Sequence, residues 1–167
     1  IQRVPAADIG KGLGMRMSEK FFITTAIDYV NSTPHLGTAY EKIGADVLAR
    51  FQRLCGKDTR FLMGTDEHSL NVEKQARAEN LAPLAYCDRM SKAFEDVWSK
   101  LEISYDDFVR TSQPRHHKTV GEIFQKIQAA GDIYKGSYKG WYCVSCEAFL
   151  TDKDLVDGKC PDHHRIP

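Results

Sequence analysis

Four residues near the end of the chain have the types and spacing of a metal site. Cys143 and Cys146 are separated by two residues, Cys160 and His163 are separated in the same way, and thirteen residues lie between the pairs. Each pair can form a tight turn that directs two ligands to one ion, and three thiolates with one imidazole satisfy tetrahedral Zn²⁺. Because no coordination position is left open, the pattern indicates a structural zinc. His164 is a competing fourth ligand, and the two-residue spacing favours His163.

A second group, Pro34-His35-Leu36-Gly37, stands where a strand is predicted to pass into a helix. The first turn of a helix has unpaired N–H groups and the positive end of the helix dipole, and both attract phosphate. His35 can donate a hydrogen bond to a phosphate oxygen, and Gly37 lets a base or ribose approach the backbone. The same residues also fit a helix-capping turn with an incidental histidine, because a four-residue motif often matches by chance.

An acidic turn follows the next predicted strand. Asp66 lies in Gly64-Thr65-Asp66-Glu67-His68, at the strand end where open parallel sheets bind ligands. A carboxylate there can hold an ammonium group by a charge-assisted hydrogen bond. The alternative is an aspartate that forms a turn or caps the next helix. The sequence leaves open whether Glu67 and His68 face a ligand or brace the loop.

Alternating strands and helices must position these residues. Apolar and β-branched runs predict strands at 21–29 (a buried one), 60–64 and 107–110. Helical spacing runs from Tyr40 to Leu54, and further helices are predicted at about 70–80, 84–101 and 116–130. This order favours a parallel sheet with helical crossovers. From residue 133 onward, aromatic residues, Gly and Cys replace the helical pattern, which indicates a domain boundary near residue 134.

Composition excludes several classes of protein. The hydrophobic fraction of 42% is enough for a packed core, and the 23 basic residues balance the 23 acidic ones. A net charge of zero argues against a protein that coats DNA or RNA. No apolar run approaches the roughly 20 residues that span a bilayer, and the start lacks a secretory signal. The odd, clustered cysteines fit a reduced, cytoplasmic protein with a metal site, without membrane or DNA partners.

The segments around these sites resemble methionyl-tRNA synthetases, which are class I aminoacyl-tRNA synthetases. Residues 23–40, which include Pro34-His35-Leu36-Gly37, are similar to the opening strand and HIGH signature of that family. The likeness continues through 64–68, 106–111, 114–117 and 131–134, and covers roughly residues 20–165. One residue departs from the signature, because its fourth position is usually His and is Thr38 here. A hydroxyl can still donate to phosphate but cannot carry charge.

The resemblance implies a fold and a division of the chain. Residues 20–134 would form the N-terminal half of the class I catalytic domain, a Rossmann-like α/β half-domain that binds a nucleotide. Residues 135–167 would begin the zinc-knuckle insertion called the connective peptide. Residues 1–19 are interpreted as a tail, an expression scar or upstream read-through, with Met15 and Met17 as candidate starts.

The resemblance also implies a reaction. ATP with Mg²⁺ would activate L-methionine to methionyl-adenylate, and the aminoacyl group would pass to tRNA(Met). The catalytic residues would be His35 and Thr38. The residues that bind ATP would be Pro34, His35, Gly37 and Thr38. Those that bind methionine would be Ile27, Tyr29 and Asp66, with Asp66 holding the α-amino group. From the residues alone, Tyr29 also fits a packing role at the end of a strand.

A likeness to the second class I signature, KMSKS, is rejected. Arg89-Met90-Ser91-Lys92-Ala93 falls within a predicted helix and precedes the zinc segment, whereas the true signature comes long after it. Without that signature and the anticodon-binding region, the 167 residues are not expected to be active alone. Two alternatives are kept: a class I synthetase for cysteine or a branched aliphatic amino acid, and a non-catalytic, zinc-stapled nucleotide-binding module.

The remaining predictions concern packing. Phe94, Trp98 and Phe124 are expected in the core, and Cys55 and Cys87 as small apolar fillers. The paired histidines His116 and His117 are expected at the surface or at a helix cap, and Arg110 and Arg115 are expected to face RNA or solvent.

Overall fold

The computed structural model describes residues 19–167 as an α/β unit followed by a small cysteine-rich segment. The interpretation of the first residues, with Met15 and Met17, lies outside the described part except for Glu19. The strands are β1 (Lys20–Thr24), β2 (Asp28–Tyr29), β3 (Asp58–Asp66), β4 (Asp107–Arg110), β5 (Trp141–Cys143) and β6 (Ala148–Leu150). The helices are α1 (Leu36–Leu54), α2 (Leu70–Ala78), α3 (Pro83–Lys100) and α4 (Pro114–Ala129), with a 3-10 turn at Asp152–Asp154.

The predicted parallel sheet is confirmed, with β3 at its centre. Strands β1 and β2 both pair with β3, and β4 pairs with its other edge, all in parallel. The predicted strand 21–29 is therefore interrupted between Thr24 and Asp28, so β1 and β2 are two pieces on one side of β3. Its prediction as buried is wrong, because β1 is an edge strand on which Phe22 is 65% exposed.

The core surrounds β3 and includes buried residues of helices α1, α2 and α3. Its members are Val30, Ala45, Ala49, Phe61, Met63, Val72, Ala76, Tyr86, Cys87, Met90, Phe94, Trp98, Ile103 and Phe108. Phe94, Trp98 and Cys87 are thus in the core as predicted. Phe124 is not, because α4 buries none of its residues, all of which the structure describes. Cys55 is exposed as the C-cap of α1.

Helix α1 is confirmed, but the apolar residues that predict it are not those it buries. Tyr40, Val47 and Phe51 are exposed, whereas the buried face consists of Lys42, Ala45, Asp46 and Ala49. The two alanines let the helix backbone lie close to β1 and β3. The two charged residues of this face are each held by specific partners.

Asp46 anchors the loop that leads into β4. Its carboxylate accepts from the backbone N–H of Ser104 at 2.8 Å and from Arg50 Nε at 2.7 Å. Burial alone would raise the pKa of Asp46, but the hydrogen bonds from Ser104 and Arg50 outweigh it and hold the pKa below its ordinary 3.8.

A carboxyl group with a depressed folded-state pKa stabilises the fold above its unfolded pKa and loses that effect as the pH falls through the folded value. We therefore expect Asp46→Asn to destabilise the chain by about 2 kcal/mol at neutral pH and by less below about pH 4. Urea unfolding followed by circular dichroism at several pH values measures this. Asp96→Asn, which alters an exposed pair with Lys92, is the matched control. If the difference in unfolding free energy between Asp46→Asn and the parent chain did not decrease in acid, the stabilising role of Asp46 would be contradicted.

Candidate nucleotide, amino-acid and metal sites

The predicted phosphate-binding residues form the N-terminus of α1. His35 is the N-cap, and its Nδ1 accepts from the N–H groups of Gly37 at 3.1 Å and Thr38 at 3.4 Å. An imidazole nitrogen that accepts carries no proton, so the proton of the neutral ring lies on Nε2. The exposed His35 side chain is thereby fixed by its cap and retains one N–H donor.

Thr38 completes the cap instead of extending towards solvent. Its hydroxyl accepts from the N–H of His35 at 3.0 Å and donates to the carbonyl of His35 at 2.8 Å. The Thr38 hydroxyl, which is expected to donate to a phosphate, therefore donates to the backbone instead, because a threonine three residues after the N-cap closes a capping box. The capping alternative thus describes the geometry of both residues.

Gly37 is required by the cap as well as by any ligand. A Cβ at this position would lie 3.0 Å from Cε1 and 3.1 Å from Nδ1 of the His35 ring. Such contacts are closer than most side chains tolerate, so a larger residue would displace the ring. Pro34, half-buried, precedes the N-cap.

Two of the three predicted methionine-binding residues, Tyr29 and Asp66, lie at the carboxyl ends of neighbouring strands. In the β2–β3 register Tyr29 is opposite Asp66, and Asp28 is opposite Thr65. Ile27 lies in the interruption before β2, with its Cγ2 3.2 Å from the position that a Cβ on Gly64 would take. Tyr29 is 51% exposed and Ile27 is 42% exposed, so both can contact a ligand.

Asp66 also forms the turn that its alternative interpretation predicts. Its Oδ1 accepts from the backbone N–H of His68 at 3.2 Å. The hydroxyl of Thr111 donates to the same oxygen at 3.5 Å. The turn fixes the carboxylate through Oδ1. Within residues 19–167 no donor bonds to Oδ2, so this oxygen can accept a further hydrogen bond.

Glu67 holds this loop in place through hydrogen bonds to its neighbours. Its carboxylate is buried, accepts from Arg110 Nε at 2.7 Å and Nη2 at 3.1 Å, and bonds to the hydroxyls of Thr65 and Ser112. Its N–H donates to Thr111 Oγ1 at 2.8 Å. The hydrogen bond to Glu67 raises the pKa of Arg110, which keeps the guanidinium charged.

The prediction that Arg110 faces RNA or solvent is therefore wrong, because its side chain is largely covered, whereas Arg115 is 51% exposed, as predicted. Arg110 pairs with Glu67 and Asp88, and Arg115 makes a bidentate pair with Asp107 at 2.7 and 2.9 Å. His68 Nε2 lies 3.2 Å from the carbonyl of Thr111 and 3.3 Å from His117 Nε2. The rings of His68 and His117 therefore contact each other beside the loop.

Sequence reasoning missed Lys42, which joins α1 to the interrupted strand. Its side chain is fully buried, and Nζ donates to the carbonyl of Ala26 at 2.8 Å, to Glu41 at 2.9 Å and to Asp28 at 3.2 Å. Glu41 also accepts from the N–H of Ala26 at 2.9 Å. These bonds replace ladder pairing at Ala26, which explains why the strand is interrupted beside Ile27.

A signal for Lys42 was present in the helical period. Lys42, Ala45, Asp46 and Ala49 are spaced three, one and three residues apart, so they share one face of α1. A lysine on a face of small residues has room to reach the sheet beneath it. The apolar stripe on the other side of the helix concealed this pattern.

We expect Lys42→Met to cost about 3 kcal/mol, because it leaves two carboxylates beside a buried site without their cation. Desolvation already raises the pKa of Asp28 even with Lys42 present. Protonation of Asp28 removes its need for a partner, so the loss should shrink as the pH falls towards and below its raised pKa. Urea unfolding measures the effect, with Lys92→Met on the exposed face of α3 as the control. Equal losses at positions 42 and 92 would show that the buried contacts contribute little.

The four predicted metal ligands come together in the cysteine-rich segment. One ligand atom from each of Cys143, Cys146, Cys160 and His163 lies within 4.8 Å of all the others. Cys146 Sγ is 3.5 Å from Cys160 Sγ and 3.1 Å from His163 Nδ1. A tetrahedral zinc with bonds of about 2.0–2.3 Å requires ligand separations of about 3.3–3.8 Å, so the set can hold a metal ion.

The electrostatics of the cluster favour a cation. Contact with the Cys160 thiol, and then with Cys143, raises the pKa of Cys146 to about 12. A hydrogen bond from the backbone of Cys146 lowers the pKa of Cys143. Three thiolates this close repel one another unless a positive ion neutralises them. His163 belongs to the cluster and His164 does not.

The rejected KMSKS likeness is confirmed as helix. Arg89-Met90-Ser91-Lys92-Ala93 lies within α3, where Met90 and Ser91 are buried. Within residues 19–167, no helix has both the length and the hydrophobicity needed to span a membrane.

Comparison with protein families shows to which family this chain belongs. Residues 21–165 match the family described as tRNA synthetases class I (M). The chain belongs to this family. It is 49% identical over 148 residues to methionine–tRNA ligase of Thermosynechococcus vestitus, covering 88% of this chain and 28% of that relative. It is 47% identical to the methionine–tRNA ligase of Caldanaerobacter subterraneus subsp. tengcongensis, covering 87% of this chain and 23% of that relative.

Solved structures of class I synthetases agree. The Mycobacterium tuberculosis methionyl-tRNA synthetase in complex with methionyl-adenylate superposes with a TM-score of 0.80 at 44% identity, covering 84% of this chain and 28% of that one. The Agrobacterium radiobacter K84 agnB2 leucyl enzyme, LeuRS, shares the fold alone, with a TM-score of 0.74 at 20% identity, covering 91% of this chain and 20% of that one. The present chain thus spans about a quarter of the length of the class I (M) relatives it matches.

Proposed function

We propose that this chain forms the part of a methionine–tRNA ligase that binds methionine and ATP. The observation that carries the proposal is the register of β2 and β3 in a chain of the class I (M) family. In that register Tyr29 is opposite Asp66 at the carboxyl ends of parallel strands, where such sheets bind ligands.

In this proposal, each of three residues has a separate task in holding methionine. The free oxygen of Asp66 accepts a charge-assisted hydrogen bond from the α-ammonium group. The backbone of Ile27 offers further hydrogen bonds, and Tyr29 flanks the side chain. Because a thioether is a weak acceptor, selection comes from the shape of the pocket and from contacts between sulfur and aromatic rings.

The N-terminus of α1 receives the phosphates of ATP. His35 donates from Nε2, Pro34 and Gly37 shape the turn, and the Thr38 cap holds the imidazole in place. The carboxylate of methionine attacks the α-phosphorus, the bond from this phosphorus to the oxygen that bridges to the β-phosphate breaks, and pyrophosphate leaves. Mg²⁺ bound with ATP would compensate the negative charge of the phosphates. The aminoacyl group then passes to the terminal ribose of tRNA(Met). Catalysis is by positioning and by stabilisation of charge on the phosphate.

The proposal assigns the metal cluster a structural zinc and divides the chain at residue 134. Residues 20–134 form the catalytic half-domain, and residues 135–167 begin the metal-binding insertion. Cys143 and Cys160 are the only buried apolar residues within 135–167, so this segment depends on its cluster for a core. A cytoplasmic location is proposed with the function.

Methionine binding tests the proposal. We expect isothermal titration of the zinc-loaded chain to show binding of methionine in preference to leucine and cysteine. Asp66→Asn removes the charge that holds the ammonium group, and should weaken binding by roughly fiftyfold, equivalent to about 2.3 kcal/mol. Asp58→Asn, at the exposed start of β3, is the matched control.

Three results would count against the proposal. Equal affinity for leucine or cysteine would favour another class I specificity, and an Asp66→Asn variant that binds as tightly as the parent would remove Asp66 from the site. A complete lack of ATP affinity would favour a non-catalytic module. The 167 residues alone are proposed to bind substrates without pyrophosphate exchange, which a radiolabel assay checks.

A further inference from the structure

Glu147 connects the metal cluster to the loop that carries Asp66. It follows the ligand Cys146 directly, yet its Oε1 accepts from the hydroxyl of Ser69 at 2.6 Å and from the N–H of Asn71 at 2.9 Å. Ser69 is the N-cap of α2. The Ser69 hydroxyl caps the first turn by accepting from the N–H groups of Asn71 and Val72. A carboxylate from a segment 78 residues further along the chain reinforces this cap, in a position that the helix dipole favours.

The backbone conformation at Glu147 indicates that the surrounding structure sets the direction of its side chain. Its φ of 52° lies in the left-handed region, which few residues other than Gly, Asn and Asp adopt. Such a conformation persists only where the surrounding structure enforces it. Here the ligand turn from Cys143 to Cys146 precedes Glu147, and the pairing of Cys143 with Ala148 encloses it. The geometry of the metal turn thus sets the direction of the Glu147 side chain.

The other side of the contact is the loop from Asp66 to Ser69. At its start, Glu67 is held by the Arg110 guanidinium and by Thr111. At its end, Ser69 is held by Glu147. A shallow cleft between the two parts of the chain is lined by residues of both, including His68, Tyr142 and Glu147. The loop is therefore held at its start by the ion pair between Glu67 and Arg110 and at its end by the Glu147 carboxylate of the metal segment.

We propose that Glu147 is a positioning residue through which occupancy of the metal cluster orders the Asp66–Ser69 loop. Metal binding fixes the Cys143–Cys146 turn, the turn directs Glu147, and Glu147 reinforces the cap of α2 immediately after the loop. The inference rests on the proposed function only in its last step, where an ordered loop presents Asp66 to methionine. Neither Glu147 nor Ser69 is assigned a contact with substrate or metal.

Hydrogen exchange measures the coupling without any substrate. In the zinc-loaded chain, the amide of Asn71, which donates to Glu147, should be protected, and chelation should speed its exchange about tenfold, the factor expected when a helix N-terminus loses an acceptor. Glu147→Ala should produce the same acceleration with zinc still bound, and chelation should then add little at this turn. Glu147→Gln keeps an acceptor oxygen and should restore most of the protection.

Two further variants separate positioning from general stability. Ser69→Ala removes both the donor to Glu147 and the hydroxyl cap of α2, so it should accelerate exchange at Asn71 and Val72, whereas Glu147→Ala should act at Asn71. Glu73→Ala, which removes an exposed pair with Arg77 in the same turn of α2, should leave exchange unchanged. Unchanged exchange in Glu147→Ala, or an equal acceleration across α3 and β3, would overturn the proposal.

Methionine titration then completes the test. Glu147→Ala, with its zinc content verified, should weaken methionine binding about tenfold, and Glu147→Gln should recover it. If the parent chain binds no methionine, the proposed function fails, while the exchange data still decide whether Glu147 couples metal to loop. If the parent binds methionine and Glu147→Ala binds it equally well, the coupling is overturned and the proposed function stands.

Discussion

Alanine in place of Gly64 is expected to destabilise the chain by more than about 4 kcal/mol, or to prevent folding altogether. Gly64 lies within β3, two residues before its carboxyl end, and pairs with Val109 of β4. A Cβ at this position would lie 2.1 Å from the carbonyl oxygen of Val109 and 3.2 Å from Ile27. Because the clash is with backbone, relief requires β4 to separate from β3, which breaks the sheet.

Gly44 provides the matched control for this substitution. It lies within α1, and a Cβ there would meet nothing within 4 Å. Alanine is the better helix former, so Gly44→Ala should stabilise the chain by about 0.5–1 kcal/mol. Urea unfolding followed by circular dichroism compares the two variants. If Gly64→Ala unfolded within about 1 kcal/mol of the parent, the close approach of β3 and β4 would be wrong.

Removal of the metal is expected to unfold the segment that contains β5 and β6 while the parallel sheet persists. Binding of a structural zinc contributes on the order of 10 kcal/mol in small zinc domains, and an insertion with little other core has nothing to replace it. Trp141 reports the change, since its indole N–H donates to Asp152 at 2.7 Å in the folded segment. Trp98, buried in α3, reports the sheet domain.

Substitution of each of the two adjacent histidines tests which of them binds the metal. His163→Ala should abolish stoichiometric zinc binding, because His163 Nδ1 faces the cysteine sulfurs. His164→Ala should leave zinc binding intact, because His164 is outside the cluster. Zinc content by atomic absorption, with amide NMR spectra of each variant, measures both effects. Tight binding by His163→Ala would contradict the assigned ligand set.

Local patterns were sufficient to predict the parallel sheet and the cysteine–histidine cluster. Helical spacing and β-branched runs are properties of short segments, and paired ligands two residues apart form turns wherever they occur. The sequence left His163 and His164 as alternatives because adjacent residues reach the same region. Only the backbone path after Cys160, with its left-handed residue at His164, separates them.

Features that depend on distant partners were beyond sequence reasoning. The interruption beside Ile27 requires Glu41 and Lys42, which lie more than a dozen residues away. Arg110 appeared to be a free cation because Glu67 is 43 residues from it in the chain. Phe124 is predicted in the core but is half exposed, because an apolar residue in a helix does not by itself show which face of that helix is covered.

The most direct test of the account is an NMR titration of the zinc-loaded chain with a non-hydrolysable methionyl-adenylate analogue. We expect saturable shifts at the backbone amides of Ile27, Gly37 and Asp66, and their loss in Asp66→Asn. This result would place the ammonium group at the end of β3 and the phosphate mimic at the start of α1. Shifts confined to α4 or to the metal segment, or their absence at saturating analogue, would contradict the proposed site.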